Sequence, residues 1–250
     1  MSGHSKWATI KHKKAATDAK RGNLFTKLIR EITVAARVGG GNTETNAALR
    51  VAIERAKDAN MPTDNIDRAV KKGTGELPGV SYEEIAFEGY GPGGVAIFVE
   101  TLTDNKKRTS SEVRNIFAKR GGNMAGAGSV SWLFEKKGYI VVSKAAITED
   151  KLMSVALDAG AEDMSSSDDS YEIKTSSQDF EKVKKALTDA KIKLESSEIT
   201  MLPKNSVNVS DAGTAKQILD LVEILEDHDD VQHVYANFDI PDEILKESMG

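Results

Sequence analysis

At 250 residues, with 39% hydrophobic and only 6% aromatic side chains, the chain has room for one large domain or two to three small ones, and so few aromatics suit several small cores. It has no cysteine, which excludes disulfides, zinc–thiolate centres and thiol catalysis. No apolar run approaches the roughly eighteen residues that span a bilayer, and Lys and His interrupt the N-terminus too often for a signal peptide, so a soluble cytoplasmic protein without a membrane partner is expected.

The charge is unevenly placed. Residues 1–75 carry fifteen Lys/Arg against seven Asp/Glu, a net +8, in a chain of net charge −5, which leaves −13 on residues 76–250. A concentrated positive field attracts polyanions, and nucleic acid is the polyanion this pattern suggests.

In chain order, residues 1–22 read as a flexible or partly helical basic arm. A helix is predicted from Asn23, where Leu24, Leu28, Ile32 and Ala35 recur at helical spacing, and Gly39-Gly40-Gly41 ends it. A second helix from about Asn46 is expected to bury Ala48, Val51, Ala52 and Ala56. A third, Thr63 to Lys72, follows Pro62 with Thr63 or Asp64 as N-cap. These three helices and the arm make a first domain, residues 1–77, and Leu77-Pro78-Gly79 is the linker.

Beyond the linker the period changes to two. Glu84–Glu88 and Val95–Thr101 are predicted strands around a hairpin loop, Gly89 to Gly94. A helix over Thr109–Arg120 has capping-box spacing at Thr109 and Glu112, and a strand over Ser129–Phe134 follows. Residues 138–202 then read strand, helix, strand, strand, helix, strand, which is the βαββαβ order of a ferredoxin-like unit. The helix holding Ile218, Leu219, Val222 and Leu225 and the strand Val231–Phe238 make only half a unit. The predicted fold is therefore α+β in three domains: a helical one, a discontinuous ferredoxin-like domain over 78–136 plus 203–250, and a complete ferredoxin-like domain, 137–202, inserted in it. Three consecutive domains are the alternative, which would leave the last helix and strand without partners.

The candidate nucleic-acid contacts are the cations and rings of the basic region: Lys6, Trp7, Lys11, His12, Lys13, Lys14, Lys20 and Arg21 in the arm, then Lys27 and Arg30 on the first helix. Each cation can neutralise a phosphate and release counterions, and Trp7 can stack on an unpaired base. Lys106, Lys107, Arg108 and Arg114 are either a second contact surface or an ordinary exposed helix face. The glycine-rich stretch 121–128 beside them is either a loop that enters an RNA groove or a flexible connection.

Other chemistry is weakly supported. Gly89, Gly91 and Gly94 match G-x-G-x-x-G, but a strand-forming run follows where a dinucleotide fingerprint needs a helix, so a tight turn is expected. The four histidines lack metal-ligand spacing, and the acidic run Glu226 to Asp230 reads as a solvated turn rather than a cation site. No catalytic set is identifiable, so the expectation is a non-enzyme with no metal and no cofactor.

Several motifs resemble the YebC family: Gly3-His4-Ser5-Lys6-Trp7, Asn60-Met61-Pro62 with Asn65-Ile66 and Ala69, Glu88 through Gly94, Arg108-Thr109, Val113-Arg114, Phe117, and Gly121-Gly122 through Val130. The resemblance implies a helical domain followed by two α+β domains. It also implies one of two roles. Bacterial members are described as probable transcriptional regulators that bind DNA, whereas relatives such as the mitochondrial translational activator of cytochrome oxidase are ribosome-associated factors that assist synthesis of difficult sequences.

The functional expectation is thus a monomeric, non-enzymatic regulator of gene expression that binds DNA, ribosomal RNA or both, with the ribosome as a partner in the translational case. Trp7 and the lack of a clear recognition helix point to RNA, and the usual description of the family points to DNA. The alternative is a small-molecule sensor or enzyme on the ferredoxin-like domains, by fold analogy alone.

Overall fold

The computed structural model describes residues 18–245 except 168 and 242, with side chains from Gly22 onward. Its first part is three helices, α1 (Asp18–Gly39), α2 (Ala47–Asp58) and α3 (Thr63–Thr74). Leu28, Ile32 and Ala36 recur every fourth residue on α1 and are buried against Leu49, Ala52 and Ala56 of α2 and Ile66 and Ala69 of α3. The buried stripe of α2 is thus one position out of phase with Ala48 and Val51, both exposed, and Leu24 is exposed too. Asn46 joins the first two helices. Its Oδ1 accepts from Leu49 N at 3.0 Å, while its Nδ2 donates to Ala35 O and Gly40 O, both at 2.8 Å. Pro62, with no side-chain cap, occupies the N-cap of α3, in place of the Thr63 or Asp64 expected. Gly73 lets α3 approach α1, since a Cβ there would lie 2.5 Å from Thr33 O and 2.6 Å from Ala36 Cβ.

The outer α+β layer comprises β1 (Glu83–Tyr90), β2 (Ala96–Thr103), α4 (Lys106–Lys119) and β3 (Asn123–Ala125) before the insertion. Its sheet, ordered β3-β1-β2-β9, is completed by β9 (Val231–Ala236), which follows a second helix of the layer. All neighbours are antiparallel. So β2 and β3 run parallel, joined by α4 across the intervening β1, which is the split β-α-β of a ferredoxin-like sheet. Here the intervening strand precedes the crossover in sequence instead of following it. The glycine loop is a hairpin turn as expected, with Gly93 and Gly94 at φ of 69° and 76°.

The inserted layer is β4 (Phe134–Ser143), α5 (Glu149–Ala159), β5 (Ala161–Ser166), β6 (Ser170–Ser176), α6 (Phe180–Asp189) and β7 (Leu194–Pro203), with sheet order β5-β6-β4-β7. Ile140, Val142, Leu152, Ile173, Val183 and Leu187 form its core. β4 starts at Phe134, earlier than the apolar pattern suggests, because Glu135 and Lys136 are exposed and carry no burial signal. The predicted strand over Ser129–Phe134 is instead a turn with a short 3-10 segment, Ser131–Leu133, and the outer sheet takes Asn123–Ala125 as its edge.

After the insertion come β8 (Val207–Asn208), α7 (Ala212–Asp227), β9 and β10 (Phe238–Asp239), with β8 and β10 paired in parallel. Phe87, Ile97 and Val99 of the sheet pack on Phe117 of α4 and on Ile218 and Leu221 of α7. The pairing of β9 with β2 settles the topology as one α+β domain inserted in another. Residues 132–206 form one compact unit, and the helical part shares a second with the outer layer. Among the described residues, no helix is long and apolar enough to cross a membrane.

Candidate nucleic-acid interface

Lys6, Trp7, Lys11, His12, Lys13 and Lys14 lie outside the described residues, and Lys20 and Arg21 fall in the first turn of α1 without described side chains. Lys27 and Arg30 have a different occupation from the one expected. Lys27 Nζ donates to Glu226 O, and Asn23 Nδ2 donates to Asp227 O at 2.6 Å, so α1 supplies donors to the carbonyl end of α7. Arg30 donates to Asp229 O at 2.7 Å and Leu102 O at 3.2 Å, pairs with the Asp230 carboxylate, and lies over the Tyr82 ring.

Asp230 is the hub of this region, and its side chain is only 2% exposed. One oxygen meets Arg30. The other accepts from Thr109 Oγ1 at 2.6 Å, Arg108 Nη2 at 2.7 Å and Thr103 Oγ1 at 3.1 Å. Burial opposes ionisation, but the hydrogen bonds from Thr109, Arg108 and Arg30 outweigh it and hold the carboxyl well below the usual carboxylate range. The acidic run is therefore not a solvated turn throughout, because its last residue is enclosed. The reason lies in tertiary structure, which brings two arginines from 200 and 122 residues away.

The start of α4 differs for the same reason. Asn105 is the N-cap, accepting from Arg108 N at 3.1 Å, and Thr109 turns inward to Asp230. Glu112 reaches His228 Nε2 at 3.0 Å instead of closing a capping box. His228 Nδ1 accepts from Asp230 N at 3.1 Å, so Nε2 carries the proton donated to Glu112. Glu112, His228 and Asp230 are close enough to suggest a cation site, with ligand atoms within 4.8 Å. Two guanidiniums already neutralise Asp230 and both imidazole nitrogens are engaged, so the chemistry is that of an ion-pair hub.

A second buried carboxylate, Glu88, also escaped the sequence reading. Its oxygens accept from Gly128 N at 2.7 Å, Val130 N at 2.6 Å and Ser131 N at 2.9 Å. Burial raises its pKa, yet the bonds from Val130, Gly128 and Ser131 prevail and lower it. Tyr90 OH donates to Ser129 O at 3.1 Å. The glycine-rich stretch is thus neither a free loop nor a plain connection: it contains β3 and is tethered at its far end. On β9, burial together with the charges of Arg55 and Lys27 pushes His233 down to about 4, and its ring stacks on Tyr235.

The cations that face solvent fall in two sets. On the helical part, Arg50, Lys57, Arg68 and Lys71 are exposed, while Arg37 is bonded to Ser81 and Val80 and Arg55 is paired with Glu31. On α4, Lys106, Lys107, Arg114 and Lys119 are exposed, as is Arg120 just beyond it, and none makes an ion pair among the described residues. Arg108 is committed to Asp104 and Asp230. Of the predicted contacts, α4 therefore brings Lys106, Lys107 and Arg114 together on an accessible helix, and the hub takes up Arg30 and Arg108.

Comparison with known proteins agrees along nearly the whole chain. A probable transcriptional regulatory protein of Dictyoglomus turgidum is 58% identical over 247 residues, covering 98% of this chain and 99% of the relative. Relatives with the same name from Halothermothrix orenii and Syntrophobacter fumaroxidans are 56% and 57% identical. The crystal structure of a conserved hypothetical protein from Aquifex aeolicus superposes with a TM-score of 0.81 at 50% identity, covering 92% of this chain and 95% of that one. Residues 5–76 match the family model for the TACO1/YebC protein N-terminal domain and residues 82–238 that for the TACO1/YebC second and third domain. With both models matched and the fold shared, the chain belongs to the TACO1/YebC family.

Proposed function

We propose that the protein is a non-enzymatic regulator of gene expression, a cytoplasmic monomer that binds nucleic acid through its basic N-terminal region. The observation that carries this reading is the +8 on residues 1–75 in a chain of −5, with Arg50, Lys57, Arg68 and Lys71 exposed on α2 and α3. Phosphate neutralisation by such cations supplies affinity without sequence information, so target choice rests on other contacts. The names of the relatives support a regulatory role, and their wording is transcriptional. The same cations serve equally for ribosomal RNA in translation.

The test is fluorescence anisotropy of the full chain with labelled DNA and RNA across a salt series. With six or more phosphates engaged, affinity falls on the order of a thousandfold between about 50 and 200 mM salt. Salt-independent binding, or no binding to either polymer, overturns the proposal. Crosslinking in cells followed by sequencing of bound DNA and RNA then separates promoter sites from ribosomal ones.

A further inference from the structure

We infer that the outer face of α4 is a docking surface for double-stranded RNA, separate from the N-terminal region, holding backbone phosphates and 2′-hydroxyls across the minor groove. The inference rests on the nucleic-acid-binding reading above. Helix α4 carries five cations and one acid, Glu112, inside the part of the chain that holds −13. That acid is held by His228, and Arg108 is held by Asp230 and Asp104. Glu112 and Arg108 are exposed but paired, and the exposed charged groups left outside any described ion pair on the helix and at its end are all cations: Lys106, Lys107, Arg114, Lys119 and Arg120.

Their placement suits a phosphate track. Lys107 and Arg114 are seven residues apart, two turns and about 10 Å along one face. Lys106 marks one end of the helix, and Lys119 with Arg120 the other. The same face carries only short side chains between the cations, Ser111, Asn115 and Ala118, so a groove can approach closely. Ser111 Oγ donates to Lys107 O at 3.0 Å, which leaves its lone pairs for an incoming hydroxyl, and Asn115 offers both a donor and an acceptor.

The choice of duplex RNA follows from how α4 is seated. It packs beside α7 over a shared core, and the two share a cleft lined by Lys119, Arg120, Gly121, Gln217 and Asp220. Val113 and Phe117 of α4 face that core, so the opposite surface of the helix is the one open to a partner. Reading B-DNA directly requires a helix to enter a major groove about 12 Å wide. The minor groove of A-form RNA is wide and shallow and displays 2′-hydroxyls, which a half-embedded helix can meet.

The test uses the full chain with a blunt RNA duplex of about 16 base pairs and a DNA duplex of the same sequence. Lys107→Ala/Arg114→Ala/Lys119→Ala is expected to weaken RNA-duplex binding by about ten- to a hundredfold and to reduce the slope of log K against log salt by about 2 to 3. Ser111→Ala/Asn115→Ala is expected to shrink the preference for RNA over DNA while leaving the salt slope unchanged. Arg50→Ala/Arg68→Ala/Lys71→Ala should weaken binding too, yet the α4 substitutions should still lower the slope in that background. Wild-type protein that binds duplex RNA with the affinity and slope of the α4 variant, or that binds both duplexes equally, overturns the inference alone. Wild-type protein that binds no nucleic acid overturns the broader reading with it.

Discussion

Replacing Asp230 tests whether the hub holds the helical part against the outer layer. Asp230→Ala strands the Arg30 guanidinium, whose side chain is 13% exposed, without its carboxylate partner. Removing one partner of a buried ion pair costs about 3–5 kcal/mol, because the other charge stays desolvated. Arg108 adds little to that figure, since at 41% exposure it can return to water. The hydroxyls of Thr103 and Thr109 lose an acceptor but still bond to each other at 2.7 Å, so a loss of about 4 kcal/mol is expected. Asp230→Asn keeps one acceptor oxygen and should lose about 3 kcal/mol.

Hydrogen exchange is the suitable assay, because it reads local free energies in a chain with two compact units. The Leu102 amide, bonded to Asp230 O at 2.8 Å, should lose protection by at least a hundredfold. Arg30→Met combined with Asp230→Leu should recover most of the loss, since an apolar pair of similar volume replaces a buried ion pair at little cost. The carboxyl titrates below its unfolded value of 3.8, so its stabilising contribution is complete above that value and fades as pH falls towards the folded one. A loss under about 1 kcal/mol for Asp230→Ala, or strict additivity in the double variant, refutes the reasoning.

Glu88→Gln leaves one oxygen for three backbone donors and should cost about 1–3 kcal/mol, seen as faster exchange at Gly128, Val130 and Ser131. Gly73→Ala forces α3 away from Thr33 and Ala36 and should destabilise the helical part by about 1–3 kcal/mol, measured by thermal unfolding. His233, lowered from 6.5 to about 4, is neutral when folded and takes a proton more readily when unfolded. Stability should therefore decline as pH falls from 6.5 towards 4, by up to about 3 kcal/mol, and NMR titration of the ring should show it uncharged at pH 5.

Much of the architecture is legible in local patterns. The βαββαβ order of the insertion, the helix on either side of it and the glycine hairpin all follow from period and turn chemistry. The phase of α2 does not, because AALRVAIERA places small apolar residues all round and either stripe can be buried. β3 is three residues long, too short for any periodic signal. The internal pairing of Arg30, Arg108 and Asp230 is not legible, for one reason. Arg30, Arg108 and Asp230 are an ordinary surface pattern until the fold converges them, and only then does their pairing become visible. Lys106, Lys107 and Arg114 needed no such convergence, since neighbours on one helix are visible as neighbours in sequence.

The way the insertion is stitched in has a consequence for biosynthesis. Leu133 O accepts from Lys204 N at 2.8 Å, and Phe134 pairs with Pro203, so the two ends of the inserted layer lie side by side. Emerging from the ribosome, that layer has all its strands before β9 exists, and once folded it shortens the loop that β9 must close to reach β2. The entropy of closing a loop grows with its length, so the inserted domain acts as a clasp that makes the outer sheet quicker to complete. Asp230, immediately before β9, arrives with that strand. Arg30 and Arg108, made earlier, gain their shared carboxylate only when that strand follows.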